Sequence, residues 1–263
     1  MFKGVLSKMR TELNQSLTYF LELGDDFLIS DYLINKEIRL KFLGFSCLKC
    51  SSKEEIFRQG HCKKCFFESP STAEWVIRPE LSKAHLNIQD RDIDYEKRIQ
   101  LQPHILYLSF TDDVKIGVTR KSQIPTRWID QGAISAIEVA ELPNRYLAGL
   151  CEVELKKYYK DKTNWRAMLK ANKSEIDLSQ EKLNAKKYLP SDLEKYYIST
   201  SLVNDITYPL ESKLDAPKSI NIKKLKKFEG KLIGIKGQYL IFEDQSVFNV
   251  RSNEGLVIEM ELN

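Results

Sequence analysis

The chain has 263 residues, 42% of them hydrophobic and 10% aromatic, with a net charge of +4. That composition belongs to a globular protein long enough to bury a core, and it excludes a disordered chain or a small disulfide-stapled scaffold. No apolar run is long enough to span a bilayer, and Lys3, Lys8, Arg10 and Glu12 interrupt the opening where a secretory signal needs an apolar stretch, so a cytoplasmic location and no membrane partner are expected.

In chain order, residues 17–23 and 27–29 are apolar segments split by Gly24-Asp25-Asp26, the pattern of a hairpin, and residues 38–45 alternate as a further strand. Four of the five cysteines follow as C-x2-C-x11-C-x2-C: Cys47, Cys50, Cys62 and Cys65. Two residues between each pair let both thiolates reach one tetrahedral ion, and the segment between the pairs folds them together. Lys49, Lys63 and Lys64 within the knuckles offset thiolate charge, and Gly60 gives the backbone freedom that a knuckle needs. A closed four-thiolate site has no open position for substrate, so a structural zinc ion is expected. Residues 68–102 are polar and predict short helices or irregular chain.

A clearer unit begins at His104. Residues 105–110 and 114–119 read as strands joined by Thr111-Asp112-Asp113. Pro125 suits the start of a short helix that stops at Gly132, and residues 136–142 return as a strand. Asn144 can cap a helix reaching about Tyr159, with Leu147, Leu150, Cys151, Leu155 and Tyr158 as its apolar stripe. Cys151 stands alone there and is expected to be a buried small side chain. Residues 163–173, 179–187 and 191–204 predict further helices. Four β-rich runs close the chain, at 231–235, 238–243, 247–251 and 256–261. The expected fold class is α+β in three parts: 1–103 with N-terminal strands and a zinc ribbon, 104–208 with an α/β core and a helical segment, and 209–263 with a small antiparallel β element.

Two basic clusters stand out. One gathers Lys156, Lys157, Lys160, Lys162 and Arg166, the other Lys218, Lys223, Lys224, Lys226, Lys227, Lys231 and Lys236. Such runs serve either as solvated faces or as phosphate-binding patches.

Residues 104–157 resemble the core of the GIY-YIG nuclease superfamily. Ile105-Leu106-Tyr107 stands at the first tripeptide motif and Lys115-Ile116-Gly117 at the second. Arg127 follows on the short helix, and the run Ala148-Gly149-Leu150-Cys151-Glu152-Val153-Glu154-Leu155-Lys156 matches the helix of the metal-binding glutamate. The resemblance implies catalytic roles for Tyr107, Arg127 and Glu152, with Mg²⁺ or Mn²⁺ on Glu152. Each role has a chemical basis. A carboxylate-held cation neutralises charge at the reacting phosphate, an arginine forks onto its oxygens, and a phenol orients water. Three departures from the family pattern are plain: the first motif lacks its glycine, Lys115 replaces the second tyrosine, and Arg127 lies a little further from Gly117 than in many members. Taken without the motif, Tyr107 reads as a strand aromatic, Gly117 as a tight strand end, and Arg127 as a partner of Trp128 or Asp130. Periodicity alone does not prefer Glu152 to Glu154.

Nearly the whole chain also resembles an uncharacterised family, domain of unknown function 2797. The resemblance rests on the knuckles with Gln59-Gly60-His61-Cys62, on Ile77-Arg78-Pro79-Glu80-Leu81, and on Lys115-Ile116-Gly117-Val118-Thr119-Arg120. It continues through Thr126-Arg127-Trp128-Ile129-Asp130-Gln131-Gly132-Ala133 and Asp161-Lys162-Thr163-Asn164-Trp165-Arg166. Lys115, Arg120, Arg127 and Arg166 are the expected phosphate contacts, while Asp130 and Gln131 are candidates for a base or sugar. The leading expectation is a zinc protein that binds DNA or RNA through a GIY-YIG-like core that has lost part of its motif. An active metal-dependent endonuclease and a zinc-stabilised protein-interaction scaffold are the alternatives.

Overall fold

The computed structural model describes residues 1–171, 176–211 and 214–263. Contacts divide the chain into two compact units, Met1–Glu68 with Thr207–Asn263, and Ser69–Ile206. The divisions fall at 68/69 and 206/207, against the 103/104 and 208/209 read from the sequence.

In chain order the first unit supplies strands β1 (Phe2–Val5), β2 (Arg10–Leu13), β3 (Leu17–Leu23), β4 (Asp26–Ile29) and β5 (Glu37–Phe45), with helices α1 (Ser30–Leu33) and α2 (Lys63–Glu68). The second supplies α3 (Ile93–Gln100), β6 (His104–Phe110), β7 (Val114–Arg120), α4 (Thr126–Asp130), β8 (Ser135–Leu142), α5 (Arg145–Leu155), α6 (Trp165–Lys170), α7 (Leu178–Lys186) and β9 (Val203–Asp205). The first then resumes with β10 (Lys218–Ser219), α8 (Ile222–Leu225), β11 (Lys227–Lys236), β12 (Tyr239–Phe242), β13 (Ser246–Asn249) and β14 (Leu256–Leu262).

The first unit is built on a seven-stranded sheet in the order β1-β14-β5-β11-β12-β13-β10, beside a three-stranded β2-β3-β4 sheet. The C-terminal strands therefore pair with N-terminal ones: β5 lies between β14 and β11, antiparallel to both. Ile38 and Leu40 of β5 are fully buried, as are Ile258 and Met260 of β14, so alternation along each strand forms one apolar face. β5 runs directly into the first cysteine knuckle. The expected hairpin at 17–29 is β3 and β4, turning at Gly24 with φ 66°.

The second unit carries a four-stranded sheet in the order β7-β6-β8-β9. On one face Leu106, Leu108, Ile116, Val118, Ile137 and Val139 pack with Ala148, Cys151 and Leu155 of α5 and with Leu178 and Ala185 of α7. Cross-strand pairs Tyr107–Gly117 and Ser109–Lys115 alternate with the core pairs and so belong to the other face. The sequence of strand, turn, strand, short helix, strand and longer helix from 104 to 155 is the expected one. Asn144 caps α5 as expected, its side chain accepting from the Leu147 amide.

Two helical expectations need correction. The 191–204 segment holds only a single 3₁₀ turn, Glu194–Tyr196, before β9. Its aromatic and β-branched residues suit an extended chain, and the open edge of β8 supplies the partner: Ile198 N donates to Val139 O, and β9 pairs with Ser135–Ile137. Helix α5 ends at Leu155 rather than near Tyr159, because the chain turns so that Lys160 O can accept from Ile116 N at the β7 edge. Tyr158 accordingly lies exposed and stacks on Tyr188 at 3.6 Å. Helix α6 covers Trp165–Lys170 of the expected 163–173, whose positions 172 and 173 lie outside the described residues. Among the described residues no helix is long and apolar enough to cross a membrane.

Candidate metal centre and candidate phosphate site

The first unit brings the four cysteines together. Their Sγ atoms all lie within 4.8 Å of one another, and those of Cys50 and Cys62 are 3.8 Å apart. A tetrahedron with metal–sulfur arms of about 2.3 Å has edges of about 3.8 Å, so this spacing fits a thiolate-bound ion and is far too long for a disulfide. Backbone hydrogen bonds build each knuckle: Ser51 N donates to Cys47 O, Leu48 N to Gly60 O, and Phe66 N to Cys62 O. Gly60 sits at φ 72°, a backbone that favours glycine, and a Cβ there would push aside the exposed Leu48 side chain.

The electrostatics of the cluster point the same way. Burial pushes the Cys47 thiol up, but amide donors from Cys62, Cys50 and Lys49 outweigh it and bring the group down to about 6. The Cys65 thiol is driven up to about 12 by its hydrogen bond with Cys50 and by burial. One thiolate forms readily and its neighbours then resist ionising, a conflict that a bound cation removes. The cluster can hold a metal ion such as zinc. Cys151, in contrast, is fully buried in α5 and its thiol is pushed up to about 12 by that burial, as a packing residue should be.

The second unit gathers most of the other candidates. Tyr107 is 0% exposed, and its hydroxyl donates to Gln131 Oε1 at 2.9 Å. Its ring leans across Gly117 and meets Trp128 edge-on at 6.0 Å between centroids. Burial holds the phenol above its ordinary range; the Arg127 charge works against that and the Glu152 charge with it.

Lys115, the residue at the second-motif position, is 4% exposed. Its Nζ donates to Thr163 Oγ1 at 2.7 Å, and among the described residues no carboxylate lies within ion-pair distance. Burial first, and then the Arg127 charge, lower its ammonium to about 8, while Asp112 and Asp161 work in the opposite direction from further off.

Glu152 is 8% exposed and keeps Lys156 Nζ at 3.3 Å. Burial raises its carboxyl, with Lys156 and Arg145 opposing and Glu80 reinforcing the shift. Arg145 is itself buried and brought down to about 10 by that burial; Glu152 favours its charge, while Arg127 and Arg120 repel it. Arg127 thus reaches Tyr107, Lys115 and Arg145, and Arg145 in turn reaches Glu152 and Arg120. Arg166 is different: it lies exposed over the Trp165 ring at 4.2 Å and bonds to none of this group through its side chain.

Part of each basic cluster meets a carboxylate or a ring. Lys156 faces Glu152 and Asp161, Lys157 faces Glu154, and Lys160 faces Asp113. In the first unit Lys223 faces Glu55, Lys231 faces Glu243, and Lys226 lies over the Phe42 ring.

Three residues of the site were missed as functional candidates. Arg145 donates from Nε and Nη2 to the carbonyls of Trp75 and Val76, fixing an upstream segment to α5. Thr163 anchors Lys115, and Glu80 influences both Glu152 and Arg145. Gln131, a candidate for a base or sugar, accepts from Tyr107 through its Oε1.

No curated protein and no solved structure matches the chain. A family described as Protein of unknown function (DUF2797) matches residues 35–258, a span that contains the four cysteines and every residue of the basic site. The chain belongs to that family.

Proposed function

We propose that the protein binds nucleic acid through the phosphate backbone, on the GIY-YIG-like core of the second unit, while a zinc ion on the four cysteines serves to hold the first unit's knuckles together. The observation that carries the reading is Lys115. A buried ammonium with no carboxylate at hand, in the field of Arg127, is short of an anion, and burying an uncompensated charge is costly. Arg127 is half-buried within its electrostatic reach, and Arg120, half-buried at the other end of β7, acts on Arg145; guanidinium groups bind phosphate in two-pronged fashion. Fluorescence anisotropy with a labelled oligonucleotide tests this. Arg120→Ala, Arg127→Ala and Lys115→Met should each weaken binding severalfold, while Lys231→Ala, whose partner is Glu243, should not. Equal affinities across the set would contradict the reading.

A second reading, cleavage of the bound strand, is favoured by the convergence of Tyr107, Arg127 and Glu152. The Oε2 atom of Glu152 is buried and makes no hydrogen bond, its charge met by Lys156 Nζ at 3.3 Å, a place that a hard cation could take. A Mg²⁺ or Mn²⁺ ion would supply charge neutralisation at the phosphate. In this reading Glu152 holds the ion, Arg127 binds the non-bridging oxygens, and Tyr107, itself oriented by Gln131, positions water. Incubating DNA and RNA substrates with Mg²⁺ or Mn²⁺ should then give cleavage that Glu152→Ala abolishes. Cleavage unchanged in that variant would refute the assignment.

A further inference from the structure

The knuckles carry three aromatic rings that the cysteine cluster does not use. The partly buried apolar side chain packed against the thiols is Ile56. Phe57, Phe66 and Phe67 pack instead on one another. Phe57 lies 5.3 Å from Phe66 and 5.7 Å from Phe67 between ring centroids, and Phe66 and Phe67 are 5.4 Å apart. Phe57 stays 42% exposed and Phe67 57% exposed, so the trio is a surface feature and not a core. Its backbone is fixed by the fold of the second knuckle: Phe57 N donates to His61 O, and Phe66 N to Cys62 O.

Cations rim these rings. The Arg58 guanidinium lies over the Phe57 ring at 5.4 Å. On α2, exposed Lys63 stands three and four positions before Phe66 and Phe67, and exposed Lys64 three before Phe67, spacings at which helical side chains are neighbours. Among the described residues Arg58, Lys63 and Lys64 meet no carboxylate within ion-pair distance, while Glu55 of the same segment is held by Lys223. An exposed aromatic surface with unpaired cations at its rim suits a ligand that is both flat-faced and anionic. Nucleotides with free base faces have that chemistry: bases stack on aromatic rings and on guanidinium planes, and phosphates meet the lysines. A duplex keeps its base faces in its own stack and cannot offer them.

We infer that Phe57, Phe66 and Phe67, with Arg58, Lys63 and Lys64, form a base-stacking surface for single-stranded nucleic acid on the cysteine knuckles. This rests on the reading of the protein as a nucleic-acid binder and adds to it the kind of strand bound and a second contact surface. Phe67, the most exposed ring, is the main platform, and Phe57 and Phe66 hold it in place. A metal ion that closes the knuckles then also presets the rings for binding.

The test is fluorescence anisotropy of the zinc-loaded full chain with three labelled probes of equal length: a thymidine homopolymer, the same strand without its bases, and a duplex. Parent, Phe67→Ala, Phe67→Leu, Phe67→Trp and Arg127→Ala are compared at matched zinc content. The parent should prefer the thymidine strand to the baseless strand by roughly tenfold or more, a comparison that needs no variant. Phe67→Ala and Phe67→Leu should lose most of that preference and bind the other two probes as the parent does, while Phe67→Trp, which keeps a flat face, should retain it. Equal parental affinity for the thymidine and baseless strands would overturn the inference, as would an equal loss on all three probes in Phe67→Ala. Full affinity in Phe67→Leu would mark a general apolar patch suited to a protein partner and overturn it as well. A preference unchanged in Phe67→Ala, with binding still weakened by Arg127→Ala, would overturn this surface and leave the phosphate reading standing. No binding of any probe by the parent would overturn both.

Discussion

The phenol oxygen of Tyr107 fills the space that a side chain on Gly117 would need: a Cβ at position 117 would lie 2.6 Å from that oxygen. The two residues face one another across β6 and β7, and the absence of a side chain at 117 lets the ring cross the edge strand. Gly117 is therefore required for room and not for an unusual backbone angle. Gly117→Ala should cost about 1–3 kcal/mol, the usual penalty of overpacking a filled site. It should also displace the Tyr107 hydroxyl from Gln131. Urea unfolding measures the first effect, and a stability equal to the parent would show that the ring yields freely.

The Lys115 ammonium makes a prediction about pH. Its folded value of about 8 lies below the ordinary 10.5, so the unfolded chain holds the proton more tightly. The charged form thus destabilises the fold fully below about pH 8, and the penalty is lifted as pH rises from there towards 10.5. Lys115→Met removes the penalty at every pH. Relative to that variant, the parent should gain ~3 kcal/mol of stability on going from pH 7 to above pH 10. Comparison with the variant removes the contribution of Lys236, another buried lysine lowered to about 8 by burial. A stability difference independent of pH would refute a buried, uncompensated Lys115.

Metal removal tests the cysteine cluster. Elemental analysis should find one zinc ion per chain, lost in Cys47→Ser and in Cys62→Ser. A strong chelator should lower the melting temperature of the parent and leave those variants unmoved. Absence of bound metal in protein purified under reducing conditions would contradict the assignment.

The helix that carries Arg145, Gly149 and Glu152 depends on its cap. Asn144 Oδ1 accepts from the Leu147 amide at 3.0 Å. Asn144→Ala should cost ~1 kcal/mol of stability, and Asn144→Asp should retain most of it. Equal losses in both variants, by thermal melting, would indicate that the side chain matters for some other reason.

Much of this was legible in the sequence where the signal is local. The cysteine spacing predicted the cluster because ligand geometry follows from two-residue gaps. The hairpin of β6 and β7 and the capped start of α5 were read from alternation, turn residues and Asn144. What escaped depends on distant partners. The pairing of β5 with both β11 and β14 joins residues about two hundred positions apart, which no local pattern encodes. The 191–204 segment lacks an apolar stripe of its own and becomes extended because β8 offers an edge. Charge runs were ambiguous for a related reason: Lys157, Lys160, Lys223 and Lys231 look free in sequence but meet carboxylates in the fold. Conversely, Lys115 sits among apolar strand residues and gives no sign in sequence of being buried without a counter-charge. Glu80 was visible in its motif, but only the close approach of its backbone to Gly149 shows that it stands beside α5.

The most direct test of the central claim is the salt dependence of oligonucleotide binding by the zinc-loaded protein, measured for the parent and for Arg120→Ala/Arg127→Ala. The account predicts affinity that falls steeply with salt, and a slope of log affinity against log salt that is shallower by roughly 0.7–0.9 for each arginine removed. Affinity that ignores salt, or a slope identical in parent and variant, would contradict a phosphate site built around Lys115 and these arginines.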